Sequence, residues 1–318
     1  MLAWPSEGIR AWGLGISAAM TSHVRKAAVA GSWYPGTAPA LAAAVDRHLA
    51  AADRVARPLL TPGDLVAIIA PHAGLMYSGP VAAHAYRLLR ERTFDVAVLV
   101  GPSHFVGFDG VSIYPSGGFE TPLGVTPIDA DCASAIVAAS QSPGFIREHA
   151  AAHAREHSLE MQLPFLAHLA PGLPIVPLVM GHQTAETARA LGDALAKALR
   201  GRRALLVAST DLSHYNDAAT ASRLDAVVID CVTRFDADGL QRALDAGPGH
   251  ACGGGPTVAV MRAAWLGGAR DAAVLNYADS GDVSGDKSAV VGYLAAAFGR
   301  FLNAEKDTKD TKGTKDGR

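Results

Sequence analysis

The chain has 318 residues, is 49% hydrophobic and carries a formal net charge of -2. That length buries a sizeable core, as one large α/β domain or two smaller ones, and a near-neutral balance without a basic stripe argues against nucleic acid as a partner. The three cysteines, Cys132, Cys231 and Cys252, share no CxxC spacing, which points to a reducing, cytosolic compartment and not to a disulfide framework.

At the N-terminus Arg10 precedes a short apolar stretch, but a single arginine near Glu7 makes a poor signal peptide. Residues 1–22 read as a disordered extension, with Met20 as the expected start of translation. No run approaches the ~20 apolar residues of a membrane span. Leu65 to Ala70 is short and almost wholly apolar, as are Phe94 to Val100, interrupted by Asp95, and Ala204 to Ala208. Such runs alternating with helical segments read as buried strands of a parallel sheet. After the first comes Ala-Pro-His72-Ala-Gly, then a helix over Val81 to Arg90 with Pro80 in its first turn. After the second comes Gly-Pro-Ser-His104, then a short strand from Val111 to Tyr114.

Ser158 to Leu169 reads as a helix capped by Ser158, kinked or truly begun at Pro164. A strand over Ile175 to Met180 and a helix over Thr184 to Arg200 lead into the third apolar run, which ends in Ser-Thr-Asp211-Leu-Ser-His214. Ala218 to Phe235, Asp238 to Leu244 and Pro256 to Trp265 are helical, the last entered through Ala-Cys252-Gly-Gly-Gly. Ala272 to Asn276 and Val290 to Phe298 close the sheet. Residues 301–318 form a polar tail that cannot bury enough to order itself. Nothing divides residues 23–300, so one continuous α/β domain is expected.

Ligands of parallel sheets collect outside the carboxyl ends of the strands. His72, His104 and the Asp211–His214 turn occupy three such ends and are expected to converge. His84 lies inside a helix and reads as a packing residue. A carboxylate beside an imidazole suits a general base, although Asp211 could equally cap the next helix. His149, His153, Glu156 and His157 form a cluster without HExxH spacing, which excludes that zinc-protease pattern; His157 and Glu160 read as a wall of the site. Cys252 at a helix start is expected to favour its thiolate. Three glycines beside it imply close packing or ligand approach, whereas Cys132 and Cys231 read as core.

Seven segments carry a resemblance: Ala-Gly-Ser-Trp33-Tyr34-Pro, Ala-Pro-His72-Ala-Gly, Gly-Pro-Ser-His104, Thr-Pro-Leu-Gly124, Glu156-His157-Ser-Leu-Glu160-Met, Ser-Thr-Asp211-Leu-Ser-His214, and Asn276-Tyr-Ala-Asp-Ser-Gly-Asp followed by Val-Gly-Tyr293. In this order the chain resembles the Memo family, in the prokaryotic branch called AmmeMemoRadiSam system protein B. The resemblance implies the fold of class III extradiol dioxygenases, which are non-heme iron enzymes: a single-domain, three-layer α/β sandwich with a mostly parallel central sheet. It implies a metal site of His72, His104 and Cys252, with Asp211 and His214 beside it where the dioxygenases keep a catalytic histidine; His157, in the wall of the site, is counted with them as catalytic. Where those dioxygenases have a carboxylate ligand this chain has a cysteine, so iron(II), copper(I) and zinc all suit the site, and ring cleavage does not carry over with the fold. Partnership with a radical-SAM protein and an Amme-type protein is implied, in a modification pathway of unnamed substrate. Two functions follow: a metal-dependent redox enzyme, or a non-catalytic metal- or peptide-binding module using the same pocket.

Overall fold

The computed structural model describes residues 24–56, 60–90, 92–247 and 249–301. The expectations for residues 1–22 and 302–318 lie outside them. Phe301, assigned above to the tail, instead ends a strand.

In chain order the elements are β1 (Val24–Arg25), α1 (Ala38–Ala52), β2 (Leu60–Ala70), α2 (Leu75–Tyr86), β3 (Val96–Pro102), β4 (Val111–Ile113), β5 (Gly118–Thr121) and β6 (Gly124–Pro127). There follow α3 (Ala130–Ala139), β7 (Ile146–Glu148), α4 (Ala150–Ala154), α5 (Leu163–Leu169), β8 (Ile175–Met180), α6 (Ala185–Ala198) and β9 (Ala204–Ser209). The chain ends through β10 (His214–Asn216), α7 (Ala218–Thr233), α8 (Ala237–Ala246), α9 (Gly254–Leu266), β11 (Asp271–Asp279), α10 (Gly281–Ser284) and β12 (Val290–Phe301).

A nine-stranded sheet runs β10-β12-β2-β9-β3-β8-β4-β7, with β11 also paired to β12. Its centre, β2-β9-β3-β8, is parallel, and β12 and β4 flank it antiparallel. Every residue of β3 is buried, as expected for a strand covered on both faces. Along β2 the side chains alternate: Ala67 and Ile69 join a core with Leu191, Val228 and Val258 of α6, α7 and α9. Ile68 and Ala70 join the opposite core, with Leu41, Val81 and Phe165 of α1, α2 and α5. Two cores on two faces of one sheet make the three layers. A small sheet, β1-β5-β6, stands apart and had no counterpart in the reading of the sequence.

Two helix starts differ from expectation. Pro80 lies inside α2, not in its first turn, because the chain begins to coil as soon as it leaves Gly74, with the Leu75 N–H donating to the Trp33 carbonyl at 2.8 Å. Ser158 caps nothing: it is buried and donates to the Pro102 carbonyl at 3.1 Å, and the α-helical turns begin at Leu163 with Pro164 in the first turn. No described helix is long and apolar enough to cross a membrane.

Candidate metal centre

β2 and β3 are neighbours across β9, so the loops leaving their carboxyl ends deliver His72 and His104 side by side, ring centroids 5.1 Å apart. Cys252 arrives from the other side, just before α9. One ligand atom from each of these three residues lies within 4.8 Å of the others, and Cys252 Sγ is 3.2 Å from His72 Nε2.

Hydrogen bonding fixes which nitrogen each imidazole presents. Ser209 Oγ donates its one hydrogen to the Ser158 carbonyl at 2.7 Å and accepts from Gln162 Nε2 at 2.7 Å. Toward His72 Nδ1, 2.9 Å away, it can therefore only accept. His72 carries its proton on Nδ1, and its Nε2 lone pair faces the cysteine. His104 is set the same way: Nδ1 lies 2.8 Å from Glu156 Oε1, and the His104 backbone N–H donates to Oε2 at 2.7 Å. A carboxylate that holds the far nitrogen is what a metal-ligating histidine ordinarily has.

The electrostatics agree. Burial, reinforced by the neighbouring His104, pushes His72 down to about 3. Burial pushes the Glu156 carboxyl up, but hydrogen bonding and charge from His104, with the Ser158 N–H, outweigh it and hold Glu156 at about 2. At neutral pH burial therefore keeps His72 neutral, and a carboxylate orients His104. Cys252 departs from expectation: burial, then the Asp211 charge, pushes its thiol up and not down. Desolvation of the sulfur outweighs the nearby helix start, and a cation between the three donors would reverse that balance.

The glycines beside Cys252 reflect close approach. A Cβ on Gly253 would lie 2.4 Å from the Ser209 carbonyl oxygen, and one on Gly255 2.8 Å from Met180 Sδ. Only bare backbone lets the start of α9 close over β9 and carry Cys252 to the histidines.

A profile of the Memo-like protein family matches residues 25–297. A MEMO1 family protein of Methanothermobacter thermautotrophicus is 39% identical over 282 residues, covering 85% of this chain and 98% of the relative. One from Methanopyrus kandleri is 37% identical over 283 residues, covering 87% and 99%. The chain belongs to the Memo family. The crystal structure of an uncharacterized protein, JW3007, from Escherichia coli K12 overlays with a TM-score of 0.51 at 17% identity, covering 72% of this chain and 99% of that one; it shares the fold.

In this Memo protein Asp211 does not hold the His214 ring. Its Oδ1 accepts from the backbone N–H groups of His72 at 2.7 Å and Ala73 at 3.3 Å. Its own N–H donates to Cys252 Sγ at 3.3 Å, and its carbonyl accepts from the Cys252 N–H at 3.1 Å. Asp211 thus ties the His72 loop to the Cys252 loop. Burial pushes its carboxyl up to about 6. His214 sits half-buried at the start of β10. The strand bulges at Tyr215, which has φ of 62° and is 80% exposed. Below that turn the fully buried Asp225 accepts from the Ser213 N–H at 2.9 Å and the Tyr277 hydroxyl at 2.8 Å.

His157 stacks on His104 with centroids 4.4 Å apart, and Trp33 and Phe105 close round it at 4.4 and 5.8 Å. Burial, then the adjacent His72 and His104, lowers it to about 3. The structure thus brings His72, His104, Cys252, Asp211 and His157 together. Ser209, Gln162 and Asp225 carried no signal in the sequence, and Glu156 was visible only as part of a histidine-rich cluster. Cys132 and Cys231 are buried core residues, and His84 is buried in α2 away from these contacts.

Proposed function

We propose that this protein is a metal-dependent redox enzyme that holds one iron or copper ion through His72 Nε2, His104 Nε2 and Cys252 Sγ. The observation that carries the reading is the convergence of three donor atoms within 4.8 Å, with both imidazole tautomers fixed so that the lone pairs face inward. Two imidazoles and a thiol suit soft or borderline ions; iron(II) and copper(I) are the foremost candidates, and zinc fits the same donors. Bound there, the ion supplies electron-transfer and Lewis-acid chemistry.

The chain's own residues do the rest. Glu156 and Ser209 orient the ligands, and Asp211 couples the two ligand loops. His157 and His214 offer imidazoles for proton transfer beside the donors. Trp33 and Phe105 wall one side against water. A radical-SAM protein and an Amme-type protein are the partners we infer, in a modification pathway, from family membership alone. The alternative, a non-catalytic metal- or peptide-binding module, gains support from the hydrogen bonds of Asp211, which run to backbone and not to His214.

Metal analysis of protein purified without oxygen tests the reading. Alanine at His72, His104 or Cys252 should each lower bound iron or copper sharply with the fold intact, whereas His214→Ala should keep the metal. Full occupancy in all three ligand variants would overturn the ligand set. To separate the two functions, oxygen uptake by metal-loaded protein with ascorbate as reductant should fall in His214→Ala. Unchanged uptake at unchanged metal content would favour the binding module.

A further inference from the structure

The opposite end of the sheet holds a second concavity. A cavity of about 680 Å³ opens at the amino ends of β3 and β9, beside Asp64, Leu65 and Val66 of β2 and beneath the last turns of α6 and α9. The size is that of a small-molecule site. Its floor is apolar and reaches the core at Leu195 and Leu206, which are 0% and 3% exposed. Its mouth is cationic: Arg92, Arg200, Arg202, Arg203 and Arg300 line it, and Asp64 is the one acidic residue that does so among the described residues.

Local structure accounts for part of this charge. Arg202 pairs with Asp129 at 3.1 Å and Arg203 with Asp95 at 2.7 Å. The carboxyl end of a helix carries about half a negative charge and favours a nearby cation, but at α9 Arg270 already donates to the Trp265 and Ala269 carbonyls at 2.8 and 2.7 Å. Arg300 gives only its Nε, to the Gly268 carbonyl at 3.3 Å. No carboxylate among the described residues pairs with Arg200 or Arg300. A guanidinium has five donors in a fork that fits a carboxylate, so these two have donors to spare above an apolar floor.

We propose that this cavity binds an amphipathic anion, a medium-chain carboxylate, with its chain against Leu195 and Leu206 and its head between Arg200 and Arg300. An uncharged chain would leave the arginines unanswered, and a bare inorganic anion would leave the floor wet. The site is separate from the metal donors: it lies toward the amino end of the parallel strands, whose carboxyl ends carry His72 and His104, about 15–20 Å away at the rise of a β-strand.

Isothermal titration of the full-length protein with decanoate, decanol and inorganic phosphate tests this. Decanoate should bind saturably, and both other probes at least about tenfold more weakly, the order of one charge-assisted hydrogen bond. Arg200→Ala with Arg300→Ala should weaken decanoate by about tenfold or more on the same grounds. Ala196→Phe, on the lining, should weaken it by filling space while keeping the charge, and His72→Ala should leave it unchanged. The assignment is overturned by decanol or phosphate binding as tightly as decanoate, by wild-type affinity in the double arginine variant, by loss of binding in His72→Ala, or by no decanoate binding at all. If Ala196→Phe fails to fold, the exposed arginine pair still decides the matter.

Discussion

Glu156 gathers three donors onto two oxygens: the His104 ring N–H, the His104 backbone N–H, and the Ser158 backbone N–H at 2.9 Å. All three favour the ionised carboxyl, which is why it stays charged although it is 2% exposed. Glu156→Gln keeps the shape but removes the charge-assisted bond that sets the His104 tautomer. Metal affinity, measured by competition with a chromophoric chelator, should fall roughly 10–100-fold, the usual effect of losing an outer partner of a metal-bound histidine. An affinity unchanged by the substitution would mean that His104 does not ligate through Nε2. At this scale the sequence was legible where a motif framed a residue, as Pro71 and Gly74 frame His72. It was illegible where a residue acts through its neighbours. Ser209 is an ordinary strand-end serine until Gln162 and Ser158, both 51 or fewer positions away, fill its other hydrogen-bonding capacity.

Elements were legible where burial is periodic. The three central strands sit where apolar runs placed them, although β2 begins five residues earlier, at Leu60, and β3 is shifted by two. The N-terminal segment was not, because its order comes from a distant buried carboxylate. Glu160 accepts from Arg25 Nη1 at 2.5 Å, the N–H groups of Ala28 and Val29 at 2.8 and 3.0 Å, and the Tyr34 hydroxyl at 2.7 Å. It thereby holds the segment that sets Trp33 against His157. Both members of the Arg25–Glu160 pair are buried, at 4% and 0% side-chain exposure, so Glu160→Ala leaves a buried arginine without its counter-charge, and two amides and the Tyr34 hydroxyl without their acceptor. Breaking such a pair from one side costs about 3–5 kcal/mol, which denaturant unfolding should register. A loss below about 1 kcal/mol, the range of a surface pair, would refute the anchoring role. On the next segment, α4 buries His153 against Tyr114 and Phe119. Burial, then the Arg25 charge, lowers His153 from 6.5 to about 4. The unfolded chain therefore takes up the proton first. The folded state is unaffected above about pH 6.5 and loses up to about 3 kcal/mol as the pH falls from there to about 4. His153→Phe should flatten the stability-against-pH curve in that window by about one proton; an unaltered slope would show that His153 is not the group responsible.

At the scale of the whole molecule, the three candidate ligands come from the ends of β2 and β3 and from just before the start of α9. An ion held by all three would cross-link the two strand ends and the start of α9 more firmly than the Asp211 hydrogen bonds do, and a ligand that binds only the folded state stabilises it by mass action. At a free-ion concentration about 100 times Kd this amounts to about 2.7 kcal/mol. For a domain of this size that corresponds to roughly 5–10 °C in the melting temperature. Iron(II) or copper(I) added to chelated protein under nitrogen should produce this shift, and His72→Ala, His104→Ala and Cys252→Ala should each abolish it. The pH dependence has a definite sign. Burial keeps the Cys252 thiol protonated in the metal-free protein through neutrality, so each ion bound must displace one proton. His72, already neutral, releases none there. Between pH 6 and 8 the metal-induced shift should therefore grow with pH, by about tenfold in affinity per unit, and in Cys252→Ser the shift should be smaller with a flatter dependence. A shift independent of pH would mean that the sulfur is not deprotonated on binding, and the ion would then rest on the two histidines alone.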